Sequence, residues 1–195
     1  MNTSIDPPID PPEEVLAARL KSDLLVDAQS VAAAIDRVSI RLTSALAEVN
    51  PLLTCVLHGG LMFTGMLMQR LHFPAELSYV HVGRYRDDTR GGELVWHAGP
   101  TVDCSNRHVV LVDDILDEGV TLAALVKWFS DHGAAAVSTA VLVDKRISAA
   151  KPIHADYVAL SLEDRYLFGC GMDFKGYWRN LPAIYALEES KERKA

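Results

Sequence analysis

The sequence predicts an α/β fold, a mainly parallel sheet with helices on both faces. Three observations point there. Apolar runs at Leu52–Leu57, Val109–Val112 and Val137–Val143 lack polar alternation, as strands buried on both faces should. Segments of helical spacing separate them. The clearest is Ala28–Val49, where Val31, Ile35, Val38, Leu42, Ala45, Leu46 and Val49 share one face. Strand and helix then alternate along the chain, the order that parallel pairing with covering helices requires.

The elements follow in order. Residues 1–12 carry Asp-Pro-Pro twice, and prolines remove donors and fix φ, so a disordered tail is expected. Glu13–Lys21 reads as a short helix, and Asn50-Pro51 ends the Ala28–Val49 helix. Leu52–Leu57 is a strand, Leu61–Leu71 a helix and Leu77–Val82 a second strand. Arg84–Pro100 is polar and Gly-rich, the pattern of a long binding loop or lid; a hairpin with Glu93–His97 as a strand is the alternative. His108–Val112 is the third strand, Leu122–His132 a helix capped by Gly133, and Val137–Val143 and Tyr157–Leu160 further strands. Residues 13–195 read as a single domain.

A chain of 195 residues suffices for one domain with a sizeable core. Its formal charge of −7 disfavours broad nucleic-acid or membrane-surface binding, which would favour a basic face. A small anionic ligand stays compatible, because local N–H donors act at contact range. Cys55, Cys104 and Cys170 are odd in number and far apart, which points to a reducing cytoplasm. His97, Cys104 and His108 match no standard zinc spacing. The first residues are acidic and proline-rich, unlike a secretory leader. The apolar stretch Leu52–Met68 is broken by His58, Gly59 and Gly60, so it reads as strand, turn and helix, with no membrane span.

The chemistry concentrates at Val109-Val110-Leu111-Val112-Asp113-Asp114-Ile115-Leu116-Asp117-Glu118-Gly119-Val120-Thr121-Leu122. A strand carries two carboxylates to its end, a third follows, and a glycine turn opens a helix. Backbone N–H groups at a helix start hold phosphate, while the acids suit a cation or sugar hydroxyls. A phosphorylated ribose with magnesium asks for both. Solvated loop acids are one alternative. Two others are the Asp-Asp-x-x-Asp signature of prenyl-transferring synthases and the acidic pocket of a response-regulator receiver. The strand-like run and Gly119 argue against the all-helical prenyl fold, and the receiver pair normally closes a first strand.

Residues 109–122 resemble the phosphoribosyl-diphosphate loop of type I phosphoribosyltransferases. A fuller resemblance, from about Val31 to Ile184, is to the hypoxanthine–guanine phosphoribosyltransferase family, carried also by Glu163-Asp164-Arg165-Tyr166-Leu167-Phe168-Gly169-Cys170-Gly171-Met172-Asp173-Phe174 and Tyr177-Trp178-Arg179-Asn180-Leu181-Pro182. The resemblance implies the type I phosphoribosyltransferase fold. Its core would span about 28–160, with a small C-terminal purine-binding hood at about 161–187 joined by the N-terminal segment.

The resemblance also implies roles. Asp113 and Asp114 would bind the ribose hydroxyls, directly or through Mg²⁺, with Asp173 near a second Mg²⁺ and the base 2-position. Asp117 would exchange the purine N7 proton as general base and acid. Ile115, Leu116, Glu118, Gly119, Val120 and Thr121 complete the phosphoribosyl loop, Glu118 standing where the family often has Thr or Ser. Leu57-His58-Gly59-Gly60 resembles the diphosphate loop, in which the family often has a cis peptide, and His58 stands where the purine family usually has Lys. Arg179 would join His58 and Gly59 on diphosphate. Lys145 would donate to the purine 6-oxo group, Tyr166 would stack on the ring, and Leu167 would meet the base edge through its main chain. Arg84 and Tyr85 would open the lid; the stretch Arg84–Asp88 looks more like the uracil-handling attenuator proteins of the superfamily.

The implied function is purine salvage: transfer of 5-phosphoribosyl from phosphoribosyl diphosphate to hypoxanthine or guanine, giving IMP or GMP. The expected enzyme is a homo-oligomer, dimer or tetramer, with Mg²⁺ as cofactor and no nucleic-acid or membrane partner. A xanthine- or uracil-preferring enzyme and a phosphoribosyl-diphosphate-sensing regulator are the alternatives.

Overall fold

The structure, a computed structural model, describes residues 10–84 and 94–188. Expectations on residues 1–9 of the tail, and on Tyr85 and the tip of the Arg84–Pro100 excursion, lie outside the described residues.

Asp27 starts the long helix α2 (Ala28–Leu46) by accepting a hydrogen bond from Ser30 N at 2.7 Å, which satisfies one of the N–H groups a helix start leaves unpaired. Its buried stripe is Val31, Ala34, Ile35, Val38, Leu42 and Leu46, the predicted face. The helix stops three residues short of Val49 and the chain enters strand β2 (Leu52–Leu57). The first helix, α1 (Glu13–Leu20), matches its predicted extent closely.

Among the described residues the main sheet has six strands. β2 lies between β3 (Glu76–Arg84) and β5 (His108–Leu116), and β6 (Ala136–Arg146) and β7 (Tyr157–Glu163) extend the sheet beyond β5. All these pairings are parallel. β4 (Leu94–Ala98) adds antiparallel to β3, so the hairpin alternative holds for its described part. Val110 and Val112 of β5 pack with Val31, Ile35, Phe63 and Leu67, from α2 and from α3 (Gly60–Met68). Val109 and Leu111 face the other way, onto Leu122, Leu125 and Phe129 of α4 (Val120–Asp131). Helices thus cover both faces, as the solid apolar runs predicted.

The central strands are longer than their apolar runs. β5 continues through the acids to Leu116 and β6 continues to Arg146, still paired at Asp113↔Val141, Ile115↔Val143 and Leu116↔Asp144. Asp113 and Asp114 therefore lie inside the last part of β5, two to three residues before its end, because the strand runs four residues past the expected stop at Val112.

A second, antiparallel sheet of order β1-β9-β8 forms the hood, from β1 (Ser22–Val26), β8 (Leu167–Phe168) and β9 (Ile184–Leu187). Arg165 fastens it, donating to Asp23 Oδ2 and to Leu187 O, each at 2.6 Å. α1 is held to the same region by Trp178 Nε1, which donates to Val15 O at 2.7 Å, and by a Lys175–Glu14 ion pair. Leu167, Cys170, Met172, Ile184 and Ala186 join the buried cluster that α2 and α3 form on the sheet, so the hood is seated on the core.

Candidate active site

The carboxyl ends of β2 and β5 open into a cleft of about 340 Å³. Its floor is the acid loop Asp113–Thr121, and Leu57, His58, Gly59, Asp173 and Arg179 close its sides. Ligands of open parallel sheets bind at this edge.

Asp113 and Asp114 are adjacent and hydrogen-bonded, with Asp114 N donating to Asp113 Oδ1 at 2.9 Å. Burial, and next the charge of Asp114, hold the Asp113 carboxyl well above its ordinary value. Burial also raises Asp114, against the pull of Asp113's hydrogen bond and of the Arg179 guanidinium. Beside them, burial and the Asp114 charge push the Cys170 thiol up to about 11. Two adjacent acids on the cleft floor, Asp114 buried and Asp113 partly exposed, favour a cation or hydroxyl donors.

Gly119 follows with φ of 80°, a left-handed turn residue that aims the start of α4 into the cleft. The first N–H groups of a helix have no intrahelical acceptor, so Val120 and Thr121 offer donors there. Glu118 is exposed at this turn.

The Leu57–His58 peptide is cis. Gly59 lies directly over the Asp114 carboxylate, where a Cβ would overlap it, and a Cβ on Gly171, itself at φ of 105°, would collide with Gly59 O. Two side-chain-free residues thus let the hood, the His58 loop and the acid pair close on one another. Arg179 Nη2 pairs with Asp173 Oδ1 at 2.6 Å and Nη1 donates to Gly171 O at 2.6 Å. Asp173 also accepts from Gly176 N at 2.7 Å.

Lys145, near the end of β6, reaches Asp117 Oδ2 at 2.9 Å and Asp164 Oδ1 at 3.3 Å. Burial pulls the Lys145 pKa down, but the hydrogen bonds and charges of Asp117 and Asp164 outweigh it and hold the ammonium above its ordinary value. Asp164 leads into Arg165, Tyr166 and Leu167, so this bridge links acid loop and hood. Tyr166 is half exposed and donates from its hydroxyl to Asp173 O at 3.3 Å; Leu167 is buried in β8.

Most of the predicted residues therefore converge on one edge. Lys145, Tyr166 and Leu167 do not line the cleft itself; the Asp117 pair connects Lys145 to it. Asp113, Asp114 and Asp173 do not form a metal cage. Among the described residues no three His, Cys, Asp or Glu side chains converge on a metal-sized point, and Asp173 is occupied by Arg179. His97 packs at a tilt against the His81 ring, Cys104 Sγ donates to His132 O at 3.5 Å, and His108 Nε2 bonds Ser138 Oγ at 2.8 Å. Arg84 ends β3, paired with Leu94. Sequence reading gave Asp164, Gly171 and Lys151 no role. Asp164 and Gly171 stand inside the C-terminal segment that carried the resemblance, whereas nothing around Lys151 marked it.

A parallel sheet that opens at the end of its central strand onto paired acids and a helix start has the build of a phosphoribosyl-transferring protein. The chain belongs to that family: the phosphoribosyl transferase domain model matches residues 22–175. The hypoxanthine-guanine phosphoribosyltransferase of Streptococcus pneumoniae R6 is 32% identical over 85% of this chain and 93% of its own. The hypoxanthine-guanine-xanthine phosphoribosyltransferase of Tritrichomonas foetus is 32% identical over 80% of this chain and 86% of its own. Among solved structures, a hypoxanthine phosphoribosyltransferase from Trypanosoma cruzi superimposes with a TM-score of 0.79 at 28% identity, covering 85% of this chain and 91% of that one.

Proposed function

We propose that this protein transfers the 5-phosphoribosyl group from phosphoribosyl diphosphate to hypoxanthine or guanine, giving IMP or GMP and diphosphate. The observation that carries this reading is the Lys145–Asp117 ion pair at the mouth of the acid loop. It joins a fixed cation donor, suited to a 6-oxo group over a 6-amino group, to a carboxylate suited to the proton on the purine N7. The names of the curated relatives support it.

In this reading Asp113 and Asp114 hold the ribose hydroxyls, while Gly119, Val120 and Thr121 present N–H groups to the 5-phosphate, with Ile115, Leu116 and Glu118 completing the loop. His58 and Gly59 flank the diphosphate, and Arg179 turns from Asp173 to meet it. Lys145 donates to the oxo group, Tyr166 covers the ring and Leu167 offers main-chain groups to its edge. The bond from C1 of the ribose to diphosphate breaks as the purine nitrogen bonds to C1, and Asp117 takes the proton from N7. The chain's work is placement, charge complementarity and exclusion of water from a cationic ribose.

Hard carboxylate oxygens fit Mg²⁺, which takes one or two protein carboxylates and fills its shell from water and substrate phosphates. Asp113 and Asp114 at the cleft floor would hold such an ion, and Asp173 lines the same cleft. Bound there, Mg²⁺ would neutralise charge on the sugar diphosphate. The three free cysteines, all buried, support a reducing cytoplasmic setting, and among the described residues no helix is long and apolar enough to cross a membrane. Leu77 and Tyr79, half exposed on one face of β3, support a homo-oligomer, dimer or tetramer.

The test is turnover by the purified protein with phosphoribosyl diphosphate, Mg²⁺ and, separately, hypoxanthine, guanine, xanthine, adenine and uracil. Turnover with hypoxanthine or guanine, lost on chelation of Mg²⁺, is the expected result. No turnover with any base overturns the reading. Xanthine is the second candidate, because the Tritrichomonas foetus relative carries it in its name.

A further inference from the structure

The connection from β6 to β7 folds back beneath the acid loop and brings Lys151 to the point where two strands part. Only 9% of its side chain is exposed. Nζ donates to Leu116 O at 2.7 Å, to Lys145 O at 2.6 Å and to Asp144 Oδ1 at 2.6 Å. An ammonium has three N–H donors, and all three are used. Leu116 and Asp144 form the final register pair of β5 and β6. Immediately beyond, one chain delivers Asp117 and the other Lys145, the two halves of the ion pair at the cleft mouth. The next two residues continue the support: a Cβ on Gly119 would lie 3.2 Å from Ile153 Cγ2 and 3.6 Å from Pro152 Cδ.

We propose that Lys151 is a positioning residue for the Asp117–Lys145 pair. By tying the carbonyl before Asp117 to the carbonyl of Lys145, it sets the spacing between the carboxylate that moves the purine proton and the ammonium that holds the purine oxo group. It does not line the cleft itself. Neutralising Asp144 would need only one of its three bonds; the two carbonyl contacts reach the backbone that carries the pair. This inference rests on the proposed function, since the pair acts on a base only in that reading.

The experiment compares wild type with Lys151→Met, which keeps the side chain's length and removes all three donors. Readouts are kcat, the KM of hypoxanthine, the KM of phosphoribosyl diphosphate, and the melting temperature. A misplacement near 1 Å of reacting groups lowers rates by up to about 100-fold, so kcat should fall about 10- to 100-fold and the KM of hypoxanthine should rise, with the KM of phosphoribosyl diphosphate held within about twofold. Lys151→Arg should recover part of the loss. If Lys151→Met does not fold, Asp144→Asn, which loosens the ammonium's anchor without opening a cavity, should give the same split at smaller size. An active wild type with unchanged kcat and hypoxanthine KM in the variant, or with both KM values shifted alike, overturns the positioning role alone. A wild type inactive on every base overturns the proposed function and this inference with it.

Discussion

Lys145 Nζ lies 2.9 Å from Asp117 Oδ2, joining a cation near the end of β6 to an anion just past the end of the neighbouring parallel strand β5. In the proposed reaction a base entering between them would exchange one partner for another without leaving either charge bare. Its oxo oxygen would take the place of a carboxylate on the ammonium, and its N7 proton that of the ammonium on the carboxylate. Breaking a partly buried pair outright would leave an uncompensated charge, so such an exchange would lower the desolvation cost of binding.

Asp117→Asn keeps the shape of the side chain and removes its capacity to take a proton. General-base catalysis contributes about 100- to 10,000-fold, so kcat should fall within that range while the KM of phosphoribosyl diphosphate moves little. Steady-state kinetics checks this; wild-type kcat in the variant would remove Asp117 from the proton transfer.

Lys145→Met removes the charged donor. A hydrogen bond to a charged group contributes roughly 1.5–3 kcal/mol, so kcat/KM for hypoxanthine should drop about 10- to 150-fold. Discrimination against adenine should weaken in the same variant, as competition between the two bases would reveal.

Asp113→Asn should trade activity for stability. Burial and the Asp114 charge raise the Asp113 pKa in the folded protein well above 3.8. The folded state therefore holds this proton more tightly than the unfolded one. The stability it contributes is fully present below about pH 3.8 and is lost as pH rises through the folded pKa. The asparagine variant escapes that loss and still accepts from Asp114 N. Its melting temperature without ligands should match wild type in acid and exceed it at neutral pH, by about 2–4 °C for each kcal/mol. Scanning fluorimetry across pH decides it; a lower neutral-pH melting temperature would contradict the proposed burial cost.

Gly119→Ala should weaken both fold and phosphate binding. A left-handed backbone costs a residue with a Cβ about 1–2 kcal/mol. The added methyl also comes within 3.2 Å of Ile153 and Leu116 side-chain atoms. A raised KM for phosphoribosyl diphosphate, larger than any change for the base, is the expected kinetic signature.

The core sheet was legible because its strands are solid apolar runs and α2 and α4 carry clear stripes. The ends of β5 and β6 were not. Apolar pattern stops at Val112 and Val143, while the backbone ladder goes on beneath polar side chains that serve the cleft. The acids, Gly119 and Lys145 could be read in order because they follow strands. β1 and β9 escaped as elements: each is short, and Ser22 meets Leu187 across nearly the whole chain. Lys151 escaped for another reason. A lone lysine in a turn normally reads as solvated, and only the meeting of two strand ends gives it three acceptors.

The hood's construction bears on how the polypeptide leaves the ribosome. β1 emerges early, yet among the described residues its ladder partner is β9, far along the chain. The main sheet can assemble once Glu163 is out, leaving the acid pair uncovered and Ser22–Val26 without a ladder partner until the final strand arrives. Nascent chains arrested ahead of Ile184 should accordingly be cut by protease within Ser22–Val26, and released full-length chains should resist.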